Sequence, residues 1–255
     1  MSVKPLWMIS LELDRLRISA LGRSFGLPLD AVDEGYLAHS AMRALFAEIA
    51  PQPFAMRGGR GRTLRVLGYC TAGDEQLRAK AATFADPLAY AACDFSTIAA
   101  KPMPAAWRPQ VRLGFEVRVC PVSRLSASAA RPTSNGREAG ETDCFLSACL
   151  AAGASVRVDR EQVYLRWLAR ELSRDGAARM LGGRMLSFRR TRLSRRDHGA
   201  GRRTVICERP DVVMAGSLEI ANPLAFDALL RRGLGRHRAF GFGMLLLKPP
   251  ENGHA

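Results

Sequence analysis

Several features that assign a chain to a familiar class are missing from this sequence. Its six cysteines form no CxxC pair, and no histidine stands at metal-ligand spacing from them, which argues against a zinc site or a disulfide framework. No apolar run approaches the ~20 residues that a membrane-spanning helix needs. Glu12 and Asp14 come too early for a secretory signal peptide. We therefore expect a soluble, cytoplasmic protein with no membrane partner and with reduced, mostly buried cysteines.

Nucleotide-binding motifs are missing as well. Neither a GxxxxGK[ST] loop nor an early GxGxxG follows a candidate strand. An enzyme of phosphate transfer and a dinucleotide-dependent enzyme are therefore unsupported, and we expect no small-molecule cofactor.

Positive charge is what the chain has in excess. Its formal net charge is +14 over 255 residues, which makes a polyanion such as a nucleic acid the expected ligand. Half of this charge lies in the segment 184–203, where a single acid, Asp197, accompanies eight arginines: Arg184, Arg189, Arg190, Arg192, Arg195, Arg196, Arg202 and Arg203. The planar guanidinium group of arginine suits phosphates, so we expect this segment to bind a nucleic-acid backbone as a thin hairpin or a helix end.

The order of predicted elements in residues 1–101 indicates a ferredoxin-like domain. Strands are predicted at 6–13, 54–56, 63–70 and 90–98, with helices at 33–49 and 74–83. This is the βαββαβ order of that fold. Residues 14–28 have the composition of turns, and the prolines of 102–110 mark a linker.

Residues 111–255 predict a second domain of the same kind. A strand at 111–119 is followed by an insertion over 123–180, which is exposed or disordered at 123–140 and helical at 144–152 and 159–173. Strands at 204–207 and 212–220, a helix at 222–232 and a last strand at 242–248 complete it. The predicted fold class is α+β, with two tandem ferredoxin-like (RRM-like) domains.

The most specific motif is GLGRHRAFGFG, residues 233–243, between the last helix and the last strand. Glycines allow backbone N–H groups to approach a phosphate closely, and the basic side chains add charge. The candidate contacts are Gly233, Gly235, Arg236, His237, Arg238, Gly241 and Gly243. The alternative is that the glycines only let the last strand pack under the helix.

With this motif the chain resembles the CRISPR-associated repeat-processing endoribonucleases of the RAMP superfamily, especially their type I-E branch. The stretches that carry the resemblance are GYLAHSAMRALF (35–46), VRLGFEVRVCPVSRL (111–125), GSLEIANPLAFDALLRRGLG (216–235) and GLGRHRAFGFGMLLL (233–247). The insertion at 126–158 and the arginine content depart from a compact type I-E enzyme and fit a divergent type IV relative equally well.

The resemblance implies a metal-independent endoribonuclease that cuts precursor CRISPR RNA at the base of the repeat stem-loop. It implies a 5′-hydroxyl and a 2′,3′-cyclic phosphate as product ends. It also implies that the enzyme stays on the 3′ hairpin of the mature RNA, beside the other protein subunits of a CRISPR effector complex. Two alternatives remain open, namely a non-catalytic subunit that binds the RNA hairpin and a general RNA-binding protein such as a ribosomal one.

The candidate catalytic residues lie on the first predicted helix. At 100° per residue, Tyr36, His39 and Arg43 fall within ~60° of one another, opposite the apolar face. An imidazole with a pKa near 6.5 suits proton transfer, Tyr36 could orient the nucleophile, and Arg43 or Arg23 could stabilise the phosphorane charge. His237 is the competing candidate, which we expect instead to contact RNA. The alternative for His39 is a solvent-facing helical residue.

Overall fold

The computed structural model describes residues 4–27, 33–58, 61–124, 141–153, 155–196 and 204–250, and within these it leaves out the side chains of 194–196 and 204–206. It contains two four-stranded antiparallel sheets, one from each half of the chain. Within the described ranges, no helix is long and apolar enough to cross a membrane. The residues predicted as a disordered insertion, 125–140 in particular, lie outside the described ranges.

The first sheet confirms the predicted βαββαβ order. Its elements are β1 (Trp7–Asp14), α1 (Arg15–Ser24), α2 (Glu34–Phe46), β2 (Phe54–Arg57), β3 (Thr63–Cys70), α3 (Asp74–Phe84), α4 (Pro87–Tyr90) and β4 (Cys93–Pro102). The strand order is β2-β3-β1-β4, as a ferredoxin-like fold requires. A short 3₁₀ turn at Ala47–Ile49 continues α2 to the predicted end of that helix.

Two predictions for this half were wrong. The stretch predicted as turns contains α1, which Asp14 starts by accepting hydrogen bonds from the N–H groups of Leu16 and Arg17. The helix buries only Ile18, Leu21 and Gly22 among charged neighbours, so its apolar periodicity is weak in the sequence. The fourth strand starts at Cys93 instead of residue 90 because α4 occupies the preceding turn.

The second sheet has the same topology. Its elements are β5 (Arg112–Val119), β6 (Val122–Ser123), β7 (Thr142–Asp143), α5 (Cys144–Ala152), α6 (Arg160–Leu172), β8 (Ala178–Arg196), β9 (Thr204–Ile220), α7 (Pro223–Arg232) and β10 (Leu246–Lys248). The order is β10-β5-β9-β8, and β6 pairs with β7 in a separate short hairpin. The helices predicted at 144–152, 159–173 and 222–232 are confirmed by α5, α6 and α7.

The strands of the second half differ from the prediction in three respects. The arginine segment begins within β8. This strand was not predicted because apolar and polar residues do not alternate in its sequence. The two strands predicted at 204–207 and 212–220 are one continuous strand, β9. The last strand starts at Leu246 instead of residue 242, since Gly241 and Gly243 have φ values of 76° and 85°, outside the extended region.

Strands β8 and β9 project beyond the sheet as a two-stranded hairpin. Their pairing runs from Ala178 opposite Ile220 to Arg196 opposite Thr204, whereas β5 pairs with β9 only from Val212 onward. The projecting part, residues 189–196 and 204–211, is called the arginine hairpin below.

The two halves share a buried interface. Leu6, Ala55 and Tyr69 of the first half belong to the hydrophobic core of the second. The hydroxyl of Tyr69 donates a hydrogen bond of 2.9 Å to the carbonyl of Leu245, and the tyrosine is buried. A polar group in this position needs a partner, so this bond fixes one sheet against the other at a defined point.

Candidate active site

A cleft of about 1030 Å³ lies between α2 of the first half and the loop at 233–243 of the second, called the glycine-rich loop below. Residues from six stretches of the chain line it. They are Tyr36, His39, Gln52, Val122, Ser123, Arg124, Glu141, Trp167, Arg170, Glu171, Arg174, Gly235, Arg236, His237, Arg238, Ala239 and Phe240. The structure thus brings together the predicted Tyr36 and His39 with four predicted residues of the loop.

Helix α2 approaches the glycine-rich loop backbone to backbone. A Cβ atom at Gly35 would lie 2.3 Å from the carbonyl oxygen of Phe240, so only glycine fits there. One residue on, the ring of Tyr36 stacks on that of Phe240 with 5.3 Å between centroids. The first turn of α2, and with it the candidate catalytic residues, is therefore positioned by the second half of the chain.

His39 is half-buried in the cleft. Its ring lies parallel to Phe54, with 6.4 Å between centroids, and its centroid is 6.2 Å from that of Tyr36. Burial, together with the positive charge of Arg43, lowers the pKa of His39 below its ordinary value of 6.5. The imidazole is therefore neutral at pH 7 and able to accept a proton.

The two arginines proposed to stabilise charge lie elsewhere. Arg43 is exposed near the end of α2, and Arg23 is exposed in the last turn of α1. Neither is among the described residues that line the cleft. From outside the cleft, the charge of Arg43 adds to burial in lowering the pKa of His39.

The glycine-rich loop is closed on itself. The N–H of Leu234 donates to the carbonyl of Gly243 at 2.8 Å, and a Cβ at Gly243 would lie 2.2 Å from the carbonyl oxygen of Leu234. The N–H groups of its four glycines donate to protein acceptors, namely the Leu229, Arg238 and Arg118 carbonyls and the Glu171 carboxylate. The glycines therefore shape the loop, and its side chains are what face the cleft.

Glu141 is the centre of a polar cluster that the sequence did not reveal. Its carboxylate lies 2.8 Å from Nε of Arg236, 2.9 Å from Nε2 of His237 and 3.6 Å from Nε of Arg209. The hydrogen bond from His237 lowers the pKa of Glu141 to about 2, against the opposing effect of burial. An ionised carboxylate can only accept, so Nε2 of His237 carries the hydrogen.

No local pattern could have found this cluster. Glu141 is 96 residues away from His237 and directly follows the small, polar stretch predicted as an insertion. Arg209 lies on β9 among residues predicted as a break between two strands. Only the folded structure brings its Nε to 3.6 Å from the Glu141 carboxylate.

A buried ion pair joins the hairpin, the central strand and the loop. Arg118 on β5 donates to both carboxylate oxygens of Asp211, at 2.7 and 2.8 Å, and to the carbonyl of Phe240 at 3.2 Å. Its guanidinium also lies 4.1 Å from the ring centroid of Phe242. Arg189 adds a second bond to Asp211 at 2.7 Å.

The expectation that Asp197 alone neutralises the arginine segment was wrong. Asp211 pairs with Arg189, and Glu208 lies 3.1 Å from Arg190 and 3.7 Å from Arg192. These acids lie on the partner strand, which the sequence places well after the arginines. Arg184 is exposed on β8; the side chains of Arg195 and Arg196, and the residues Asp197, Arg202 and Arg203, lie outside the described parts of the chain.

The arginine hairpin has two different faces. Side chains alternate along a strand, and Leu193 and Arg209 lie on the same, inward face, with 1% and 22% exposure. Leu193 packs in a hydrophobic cluster with Phe240 and Phe242, and Arg209 faces Glu141. Arg190 and Arg192 point outward, and their side chains are 63% and 78% exposed. The outward face is the one that a large ligand can reach.

Two comparisons with known proteins give matches, one to a family model and one to solved structures. A family model described as CRISPR associated protein matches residues 6–249. Among solved structures, the CRISPR endoribonuclease Cse3 bound to 19 nt RNA is 20% identical over 96% of this chain and 100% of its own, with a TM-score of 0.61. Cas6e from Escherichia coli K-12 is 18% identical over 95% and 99%, with a TM-score of 0.58.

A chain of a CRISPR RNA-guided surveillance complex is 12% identical over 95% of this chain and 99% of its own, with a TM-score of 0.56. No curated protein matches. At these identities the solved structures establish the shared fold, and they confirm the prediction of two ferredoxin-like domains.

The contact between Gly35 and Phe240 predicts an unusual response to substitution. Gly35→Ala should destabilise the protein by about 1–3 kcal/mol through overpacking, although alanine favours helices. Gly73→Ala is the matched control, since its Cβ would meet Trp7 at an ordinary 3.7 Å. Urea unfolding of both variants measures the difference. Equal stability of Gly35→Ala and the wild type would contradict this close approach.

Proposed function

The chain belongs to the CRISPR-associated protein family, and we propose that it is an endoribonuclease that cleaves precursor CRISPR RNA at the base of the repeat stem-loop. The observation that carries this proposal is the neutral, half-buried imidazole of His39 in a cleft whose lining includes five arginines and two glutamates. A cleft of that charge attracts a phosphodiester, and a neutral imidazole can deprotonate the 2′-hydroxyl beside it. The similar Cse3 structure is of an endoribonuclease bound to RNA.

The proposed reaction is metal-independent. His39 takes the proton of the 2′-hydroxyl, the 2′-oxygen attacks the adjacent phosphorus, and the bond to the 5′-oxygen breaks. Tyr36 orients the nucleophile, and the cations at the rim of the cleft, Arg236 and Arg238 among them, stabilise the phosphorane charge. The product ends are a 2′,3′-cyclic phosphate and a 5′-hydroxyl.

The arginine hairpin supplies the affinity for the stem in this proposal. Its outward arginines suit the phosphates of an A-form duplex, whose deep major groove leaves few base contacts within reach. Tight stem binding explains why the enzyme would stay on its product as a subunit of a cytoplasmic effector complex. The similar chain of a surveillance complex supports that part of the proposal.

A non-catalytic RNA-hairpin-binding subunit is the second candidate. It is favoured by the engagement of all four glycine N–H groups of the glycine-rich loop within the protein. Such a loop has no free backbone donors at those glycines to hold a reacting phosphate, so charge stabilisation would fall entirely to side chains.

Cleavage of a labelled repeat hairpin in EDTA separates the two candidates. We expect the wild type to cut once at the base of the stem, and His39→Ala to bind the hairpin but cut about 10²–10⁴-fold more slowly. Ser40→Ala, the next position on the same helix, is the control and should cut normally. If the wild type binds the hairpin tightly and does not cut it, with or without EDTA, the protein is a non-catalytic RNA-hairpin-binding subunit.

The pH dependence of cleavage tests the role of Arg43. A base must be neutral, so the rate should fall as the pH drops through the lowered pKa of His39, which places the acid limb below pH 6.5. Arg43→Gln removes a charge that lowers this pKa, so the acid limb should move to higher pH. Arg112→Gln, an exposed arginine of the second sheet, should leave the limb in place. If the acid limb of Arg43→Gln stays where it is in the wild type, the titration of His39 does not determine the pH profile.

The salt dependence of binding tests the arginine hairpin. The double variant Arg190→Gln/Arg192→Gln should bind the repeat hairpin more weakly, and the slope of log K against log salt should shrink by about one unit for each arginine. Arg112→Gln/Arg179→Gln is the matched control, because these exposed arginines pair with Glu219 at the opposite end of β9. Equal losses in the two double variants would mean that the hairpin is not the binding surface.

A further inference from the structure

His237 is held in an unusual way for a residue that only contacts RNA. Its side chain is 9% exposed, yet it lines the same cleft as His39. Its backbone adopts the left-handed conformation, with φ 61° and ψ 31°, which few residues other than glycine accept. The ring is fixed by the carboxylate of Glu141 at 2.9 Å and by an edge contact with Phe240 at 6.0 Å.

A series of ring contacts connects the two imidazoles, both of which line the cleft. The centroid distances are 6.2 Å from His39 to Tyr36, 5.3 Å from Tyr36 to Phe240 and 6.0 Å from Phe240 to His237. His39 comes from the first half of the chain and His237 from the second. Cleavage by 2′-hydroxyl attack needs a base and an acid on different sides of the phosphorus, and this arrangement supplies two such groups.

We propose that His237 is the general acid of the cleavage reaction and that Glu141 is its positioning residue. The inference rests on the proposed endoribonuclease function and deepens it. Nε2 of His237 is occupied by Glu141, so Nδ1 is the atom that gives a proton to the leaving 5′-oxygen. Glu141 sets this orientation of the ring, as a carboxylate does for a histidine whose second nitrogen does the chemistry.

The two histidines have charged neighbours of opposite sign. The cation Arg43 acts on His39, whereas Nε2 of His237 lies 2.9 Å from the carboxylate of Glu141. Arg236 shares the same carboxylate at 2.8 Å, and Arg209 lies 3.6 Å from it. Glu141 therefore holds the ring of His237 beside Arg236, which also lines the cleft.

The proton balance of the step is complete without a further reactant. The 2′-oxygen loses its proton to His39 and bonds to phosphorus, the bond from phosphorus to the 5′-oxygen breaks, and that oxygen receives the proton of His237. Water then removes the proton from His39 and returns one to His237, so that both groups are restored for the next turnover.

A substrate with sulfur in place of the scissile 5′-oxygen tests the role, because a thiolate leaves without a proton. His237→Asn keeps a residue that tolerates the left-handed backbone. This variant should cleave the ordinary repeat hairpin about 10²–10⁴-fold more slowly than the wild type does. Its rate on the sulfur substrate should lie within about tenfold of the wild-type rate on that substrate. His39→Ala should be slow on both substrates. Glu141→Gln, which keeps the shape of the side chain, should show a smaller loss that the sulfur substrate also rescues.

Three results would overturn the inference. Normal cleavage of the ordinary hairpin by both His237→Asn and Glu141→Gln would show that neither residue takes part. An equal loss on both substrates, with weaker RNA binding, would make His237 a binding residue. If the wild type cleaves neither substrate, the endoribonuclease function itself fails, and this outcome is distinct because no variant is needed to see it.

Discussion

The ion pair between Arg118 and Asp211 is the interaction on which the rest of the site depends. Asp211 is 3% exposed and the Arg118 side chain 13%, so the pair is withdrawn from water. Its close geometry and the further bonds to Arg189 and to the Phe240 carbonyl offset the cost of desolvation. Arg118 belongs to the central strand β5, Asp211 to the root of the arginine hairpin, and the Phe240 carbonyl bound by Arg118 to the glycine-rich loop. Three elements are thus held in register by one guanidinium.

Helix α2, from the first half of the chain, packs against the glycine-rich loop. Gly35 allows its first turn to touch the backbone of the loop, and the Tyr36 ring then lies on Phe240. His39 consequently shares a cleft with residues about two hundred positions later in the sequence. The site exists only while the two sheets stay packed, and the buried hydroxyl of Tyr69, bonded to Leu245, is one of the contacts that keep them so.

Much of this architecture follows from the sequence, for identifiable reasons. Helical periodicity predicted α2 and α6, and the glycine spacing predicted the loop, because both signals are local. The weakly amphipathic α1 and the arginine-bearing β8 gave no such signal, since their stability comes from capping and from pairing with β9. Tyr36 and His39 could be placed on one helical stripe, but the contact of Glu141 with His237 depends on long-range packing that no spacing rule contains.

The long outer strand of the second sheet is exposed to pairing with a strand of another molecule, and its arginines oppose such pairing. β8 has 19 residues and lies at the edge of the sheet, where backbone groups can pair with a strand of another molecule. In its earlier part, β8 has a partner in α6, since the Met185 N–H donates to the side chain of Glu161. Farther along, like charges on neighbouring molecules repel each other and oppose edge-to-edge aggregation. The positive charge of the arginine hairpin therefore disfavours pairing of this edge with the same edge of a second molecule.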